Sequence, residues 1–145
     1  MSNQLGSLPA GLFQGLPNLR VIKLQHNRLS ELPPDLFSGL TKLELLELWD
    51  NQLTALPSGF FSEVTKLRQL GLNNNTLTLL PFGTFEGLAL LKSLDLSHNQ
   101  LSLLPSDFCD TLTSLEYLNL AYNKLSSSVK CETNIINILF TPQDP

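Results

Sequence analysis

A template with leucine at positions 1, 4 (isoleucine in one copy), 6 and 11 and asparagine at position 9 returns every 24 residues along this chain, without insertion. Residues 19–29 read LRVIKLQHNRL, 43–53 LELLELWDNQL, 67–77 LRQLGLNNNTL, 91–101 LKSLDLSHNQL and 115–125 LEYLNLAYNKL. Five copies in one register specify a solenoid, in which each copy is a coil stacked on the next. Burial of a Leu or Phe side chain contributes roughly 1.5–3 kcal/mol, so a coil gains its stability only when neighbours cover it.

The first half of each coil predicts a short strand. The apolar residues at positions 4 and 6 share one face by the period of two, while positions 3, 5 and 7 point the other way. Stacking brings successive strands side by side at about 4.8 Å as a parallel sheet. The second half repeats as firmly: Leu32, Pro33, Phe37 and Leu40 are followed by Leu56, Pro57, Phe61 and Val64, then by Leu80, Pro81, Phe85 and Leu88. Proline at each return ends strand pairing, and the phenylalanines are expected to stack as a spine on the convex side. In the fourth copy Leu104, Pro105 and Leu112 keep their places, but Cys109 takes the spine position with Phe108 beside it. Asn3, Asn27, Asn51, Asn75, Asn99 and Asn123 recur where the backbone leaves the strand. There a carboxamide supplies two donors and an acceptor to backbone groups that would otherwise be buried unpaired, which predicts an asparagine ladder.

The organisation expected is a solenoid over residues 1–125, with a partial coil at 1–18 and repeats starting at 19, 43, 67, 91 and 115, then a tail at 126–145. The chain opens inside a repeat, with Leu5, Leu8, Pro9, Phe13 and Leu16 continuing the template. Such an array is expected to be excised from a longer protein, or to pack its amino end on something. Past Leu125 the template fails, and the apolar residues 135–140 read either as a makeshift cap or as the start of a further segment.

A net charge of -4 and nine basic residues spread along the coils argue against a nucleic-acid partner. No run of about 18 apolar residues is present to insert in a membrane, and the amino end has no signal-peptide pattern. Two cysteines are too few for a disulfide scaffold. Cys109 and Cys131 stand near each other on the convex side, and a buried thiol in the spine is slightly preferred to a bridge between them. The sequon Asn74-Asn75-Thr76 reads as a chance product of the Asn-rich turn.

These residues resemble the leucine-rich repeat proteins. The 24-residue coil with LPxxxF in its second half is similar to the typical subclass of Toll-like receptor ectodomains, small proteoglycans and variable lymphocyte receptors. The resemblance implies an α/β-type repeat solenoid: a curved horseshoe with a parallel β-sheet on the concave face and loops or short 3-10 turns on the convex face. It also implies binding of a protein ligand on the concave face, without catalysis and without a cofactor. An extracellular or secreted protein is the implied setting. The chain departs from those members in lacking cysteine-rich caps, which keeps a secreted bacterial effector, a cytoplasmic protein or a consensus-style engineered array open.

Information on such a scaffold resides in its variable positions. Trp49, Tyr117 and Tyr122 are the chain's only tryptophan and tyrosines, and the template places all three outside the core. Exposed aromatics of this kind dominate interface hot spots, because they bury much area at low entropic cost. They are the expected anchors, supported by Val21, Leu45, Glu47, Asp50, Asn73, Asp95 and Asn119. The competing readings are ordinary surface aromatics, and a structural array that self-associates end to end through its uncapped coils. His26 and His98 share position 8 but stand three coils, about 14 Å, apart, too far for one metal ion. Glu47 and Asp95 share position 5 at roughly 10 Å, beyond an inverting glycosidase pair, so no catalytic residue is expected.

Overall fold

Ile22, Leu46, Leu70, Leu94 and Leu118 stand at position 4 of successive coils, each at most 4% exposed. Each is the centre of a three-residue strand whose neighbours face outward. The strands are β1 Val21–Lys23, β2 Leu45–Glu47, β3 Gln69–Gly71, β4 Ser93–Asp95, β5 Tyr117–Asn119 and β6 Asn137–Leu139, with a four-residue helix, α1 Phe108–Thr111, before β5. The structure, a computed structural model, describes residues 4–126 and 137–140. All six strands form one parallel sheet in chain order, and β1 to β5 pair at the 24-residue period of the template. Pairing continues past the strands: the position-8 N–H of His26, Asp50, Asn74 and His98 donates to the position-7 carbonyl of the next coil at 2.9–3.2 Å. The molecule is a leucine-cored solenoid of the horseshoe type, with its sheet on the concave side.

The asparagine column explains why the coils keep register. Asn75 Nδ2 donates to the carbonyls of Leu72 in its own coil and Leu48 in the coil before, both at 3.1 Å. Its Oδ1 accepts the N–H of Leu53 at 3.0 Å. Asn51, Asn99 and Asn123 repeat the arrangement one coil at a time. Each side chain therefore satisfies backbone groups of two coils at once, where no water reaches them. Asn27 reaches back in the same way to the N–H of Leu5 at 3.2 Å, while Asn3 lies outside the described residues.

On the convex side, i to i+3 hydrogen bonds at 3.0–3.3 Å tighten the chain after each proline, as at Leu36 to Pro33, Ser38 to Asp35 and Leu40 to Phe37. The aromatic spine is continuous from Phe13 through Phe37, Phe60, Phe61 and Phe85 to Phe108, with ring centroids 4.9–6.3 Å apart. Its last member departs from expectation. The turn that becomes α1 carries Phe108 into the spine, 3% exposed, in the place assigned to Cys109. Cys109 is half-buried and disulfide-bonded, not a reduced thiol. Cys131, Ile135 and Ile136 lie outside the described residues. From the tail, β6 joins the sheet beside β5, with Asn137 in register with Tyr117 at a spacing of 20 residues. Among the described residues no helix is long and apolar enough to cross a membrane.

Candidate functional site

Because position 4 is buried, positions 3 and 5 of every strand face out of the sheet on its concave side. Position 5 forms a column across the sheet: Lys23, Glu47, Gly71, Asp95 and Asn119 stand in register. Four of the five carry a long or polar side chain, and Gly71 carries none. Gly71 lines a depression of about 350 Å³, with the Glu47 carboxylate and the Trp49 ring drawn in over its backbone. Trp49 and Tyr117 line it with Glu47, Asp95 and Asn73, and Gln69, Ser93 and Leu70 complete the lining.

The acidic residues in this depression are not ordinary surface carboxylates. Burial pushes the Glu47 carboxyl above its usual pKa of 4.5; a hydrogen bond from the Trp49 side chain and the charge of Lys23 pull it down, and the Asp95 charge pushes it up again. Asp95 is fixed from below, its Oδ1 accepting from Ser97 Oγ at 2.6 Å and from Ser97 N–H at 3.0 Å. The Asp95 charge acts on Glu47 across Gly71, which has no side chain to intervene.

The depression thus brings together five of the ten residues expected at the site: Glu47, Trp49, Asn73, Asp95 and Tyr117. The rest stand apart from it. Val21 is 49% exposed on β1 and Leu45 is half-buried on β2. Asp50 pairs with His26 Nδ1 at 2.5 Å, and the His26 ring meets Trp49 edge-on at 4.3 Å. Asn119 Oδ1 accepts the N–H of Ala121 at 3.1 Å. Tyr122 is 63% exposed and stacks on His98, centroids 4.3 Å apart, at the rim where position 8 of each coil has a positive φ. The aromatic trio therefore divides into a pair at the depression and one ring on the rim. Gln69, Gly71 and Ser93 fall on the concave face by the template but were not among the residues expected to bind. The available signal was a glycine in a column of long or polar side chains.

Two other features carry less chemistry. A hollow of about 490 Å³ lies off the sheet between the first partial coil and the coils after it, against Phe13, Leu16, Leu36 and Leu40. It is larger than the concave depression but is floored by spine and turn residues. Among the described residues no three His, Cys, Asp or Glu side chains are grouped to hold a metal ion.

Comparison with known proteins follows the architecture. A leucine rich repeat model matches residues 1–53 and 41–101, and a model of two leucine rich repeats matches residues 89–131. Among solved structures the chain is similar to the leucine-rich repeat domain of APL1B, with a TM-score of 0.79 and 30% identity, covering 85% of this chain and 35% of that one. It is similar also to a chain of the Toll–Spatzle complex of Drosophila, with a TM-score of 0.84 and 32% identity, covering 87% of this chain and 17% of that one. The chain spans well under half the length of either. Comparison with curated proteins gives no match. Leucine-rich repeat domains generally mediate protein–protein interaction. With strand, asparagine turn and proline–aromatic return all repeating through the matched residues, the chain belongs to the leucine-rich repeat family.

Proposed function

We propose that the chain is a non-catalytic recognition module that binds a protein through the concave face of its sheet. The observation that carries this reading is that Trp49 and Tyr117, from coils that are not neighbours, line one depression. An aromatic pair at a dip in a polar face has the anatomy of an interface hot spot. Glu47, Asn73 and Asp95 supply polar contacts within the depression, and Val21, Leu45, Asp50, Asn119 and Tyr122 extend the surface around it. Among the described residues the depression on this face is open to solvent and does not shield a reacting group from water, which favours binding over catalysis. The Toll–Spatzle assembly is a precedent for a protein complex built on this fold.

Affinity capture with the native chain and with a Trp49→Ser, Tyr117→Ser variant tests the reading. A partner held by the native chain and lost by the variant is the expected result. Capture of the same partners by both would move the binding surface elsewhere on the molecule.

A second reading, association of chains through their ends, rests on Leu5, Leu12 and Leu16, which are 48%, 41% and 48% exposed on the first partial coil. Sedimentation equilibrium tests it: a concentration-dependent mass that Leu12→Gln, Leu16→Gln abolishes supports end association. A monomer at all concentrations removes it.

A further inference from the structure

Gly71 is unlike most glycines of this chain. Gly11, Gly15, Gly39, Gly59, Gly83 and Gly87 have positive φ, where glycine is the favoured residue, but Gly71 does not. The backbone of β3 would accept an L side chain, so what glycine supplies is room. A Cβ placed on it would collide with Glu47 Oε2 and meet Trp49 Cδ1 at 3.0 Å. The Glu47 carboxylate and the Trp49 ring therefore lie in the room that a side chain at this position would take, and both line the depression.

The occupant of the depression is constrained by charge. Strand register sets Glu47 on one side of Gly71 and Asp95 on the other, both lining the depression. Among the described residues the one cation that acts on Glu47 is Lys23, which lies a coil away on the side opposite Asp95. Glu47 is partly desolvated and repelled by Asp95, a state that a positive charge between them would relieve. The walls add a second constraint. Trp49 and Tyr117 present aromatic surface, which attracts an organic cation through its π face and covers an aliphatic stem. A metal ion would find two carboxylates and no third ligand of the usual kinds among the described residues.

We propose that the depression over Gly71 is a cation subsite that takes one Lys or Arg side chain of the protein ligand, its charge between Glu47 and Asp95 and its stem between Trp49 and Tyr117. The subsite rests on the concave-face reading and makes it chemical: the ligand presents a basic side chain at the centre of its contact. Arginine fits better than lysine, because a planar guanidinium can address two carboxylates and stack on a ring at once.

The test is an NMR titration of the ¹⁵N-labelled chain with N-acetyl-arginine amide and N-acetyl-lysine amide, with the citrulline amide as the neutral counterpart of arginine. Saturable shifts centred on the Gly71 amide and the Trp49 indole are expected with the two cations and not with citrulline. Affinity should fall at least tenfold in Glu47→Gln and in Asp95→Asn, while the Asn75 side-chain resonances stay in place as the sign of an intact fold. Equal response to citrulline, shifts that persist in both variants, or a stronger response to calcium chloride than to the arginine probe would each overturn the proposal. So would the lack of any saturable shift. Such a failure removes the cation subsite alone, because loss of a captured partner in the Trp49→Ser, Tyr117→Ser variant does not depend on these probes.

Discussion

Two columns cross the coils of this solenoid a few residues apart, and they obey opposite rules. At position 9 the column is Asn27, Asn51, Asn75, Asn99 and Asn123, each 6–8% exposed. At position 5 it is Lys23, Glu47, Gly71, Asp95 and Asn119, with identical strand pairing and no residue used twice. Backbone geometry therefore does not set the difference. Position 9 must satisfy carbonyls and an N–H from two coils inside the protein, and few side chains other than a carboxamide can do so. Position 5 has its backbone satisfied by the ladder and its side chain turned out of the leucine core, so its identity is open. Shared scaffold and private information are thus separated by four residues of chain.

Substitutions can break this contrast or sharpen it. The largest loss is expected from Phe61→Ala in the fully buried spine, roughly 3–5 kcal/mol of stability, read from the urea midpoint. Asn75→Ala comes next at about 3 kcal/mol, because it strands the Leu53 N–H and the Leu48 and Leu72 carbonyls without water. A drop below about 1 kcal/mol there would mean that water replaces the amide and that position 9 is nearly as free to vary as position 5. At position 5, Trp-capped Glu47 gives an effect of opposite sign. The fold holds its proton more tightly than the unfolded chain, so its contribution is neutral below the ordinary pKa of 4.5 and stability is lost as pH rises from there through the raised folded value. Glu47→Gln should therefore match the native chain in acid and exceed it at neutral pH, as paired thermal melts at the two conditions would reveal. The smallest effect is expected for Tyr122→Ser, within about 0.5 kcal/mol, since its ring stands largely in solvent.

Strand register could be read from the leucines, because a slip by one residue would turn Leu46, Leu70 and Leu94 out of the core. The asparagine ladder was equally legible, since its residue type carries its own hydrogen-bonding requirement. The fourth coil was not. Whether Phe108 or Cys109 enters the spine depends on the local phase of the chain, which α1 shifts, and a count along the sequence cannot see that shift. The strand at 137–139 escaped for a related reason, since its spacing from β5 breaks the period on which the reading rested. The aromatic residues of the site could be named from their rarity. Their grouping could not, because it is organised by a side chain that is missing at Gly71 and by the lean of Glu47 over its backbone.

The left-handed backbone at position 8 limits the alphabet in which the rim of the concave face can be written. Five coils place His26, Asp50, Asn74, His98 and Tyr122 there, with φ of 54–60° in every case. Asn, Asp and His enter that conformation more readily than other residues with side chains, and β-branched residues are true outliers in it. Valine, isoleucine and threonine are thus poor letters at the rim whatever the ligand requires, while the neighbouring strand positions accept them. Diversity spread over these coils would accumulate unevenly, with a free vocabulary on the strands and a short, polar one along the edge where each strand ends.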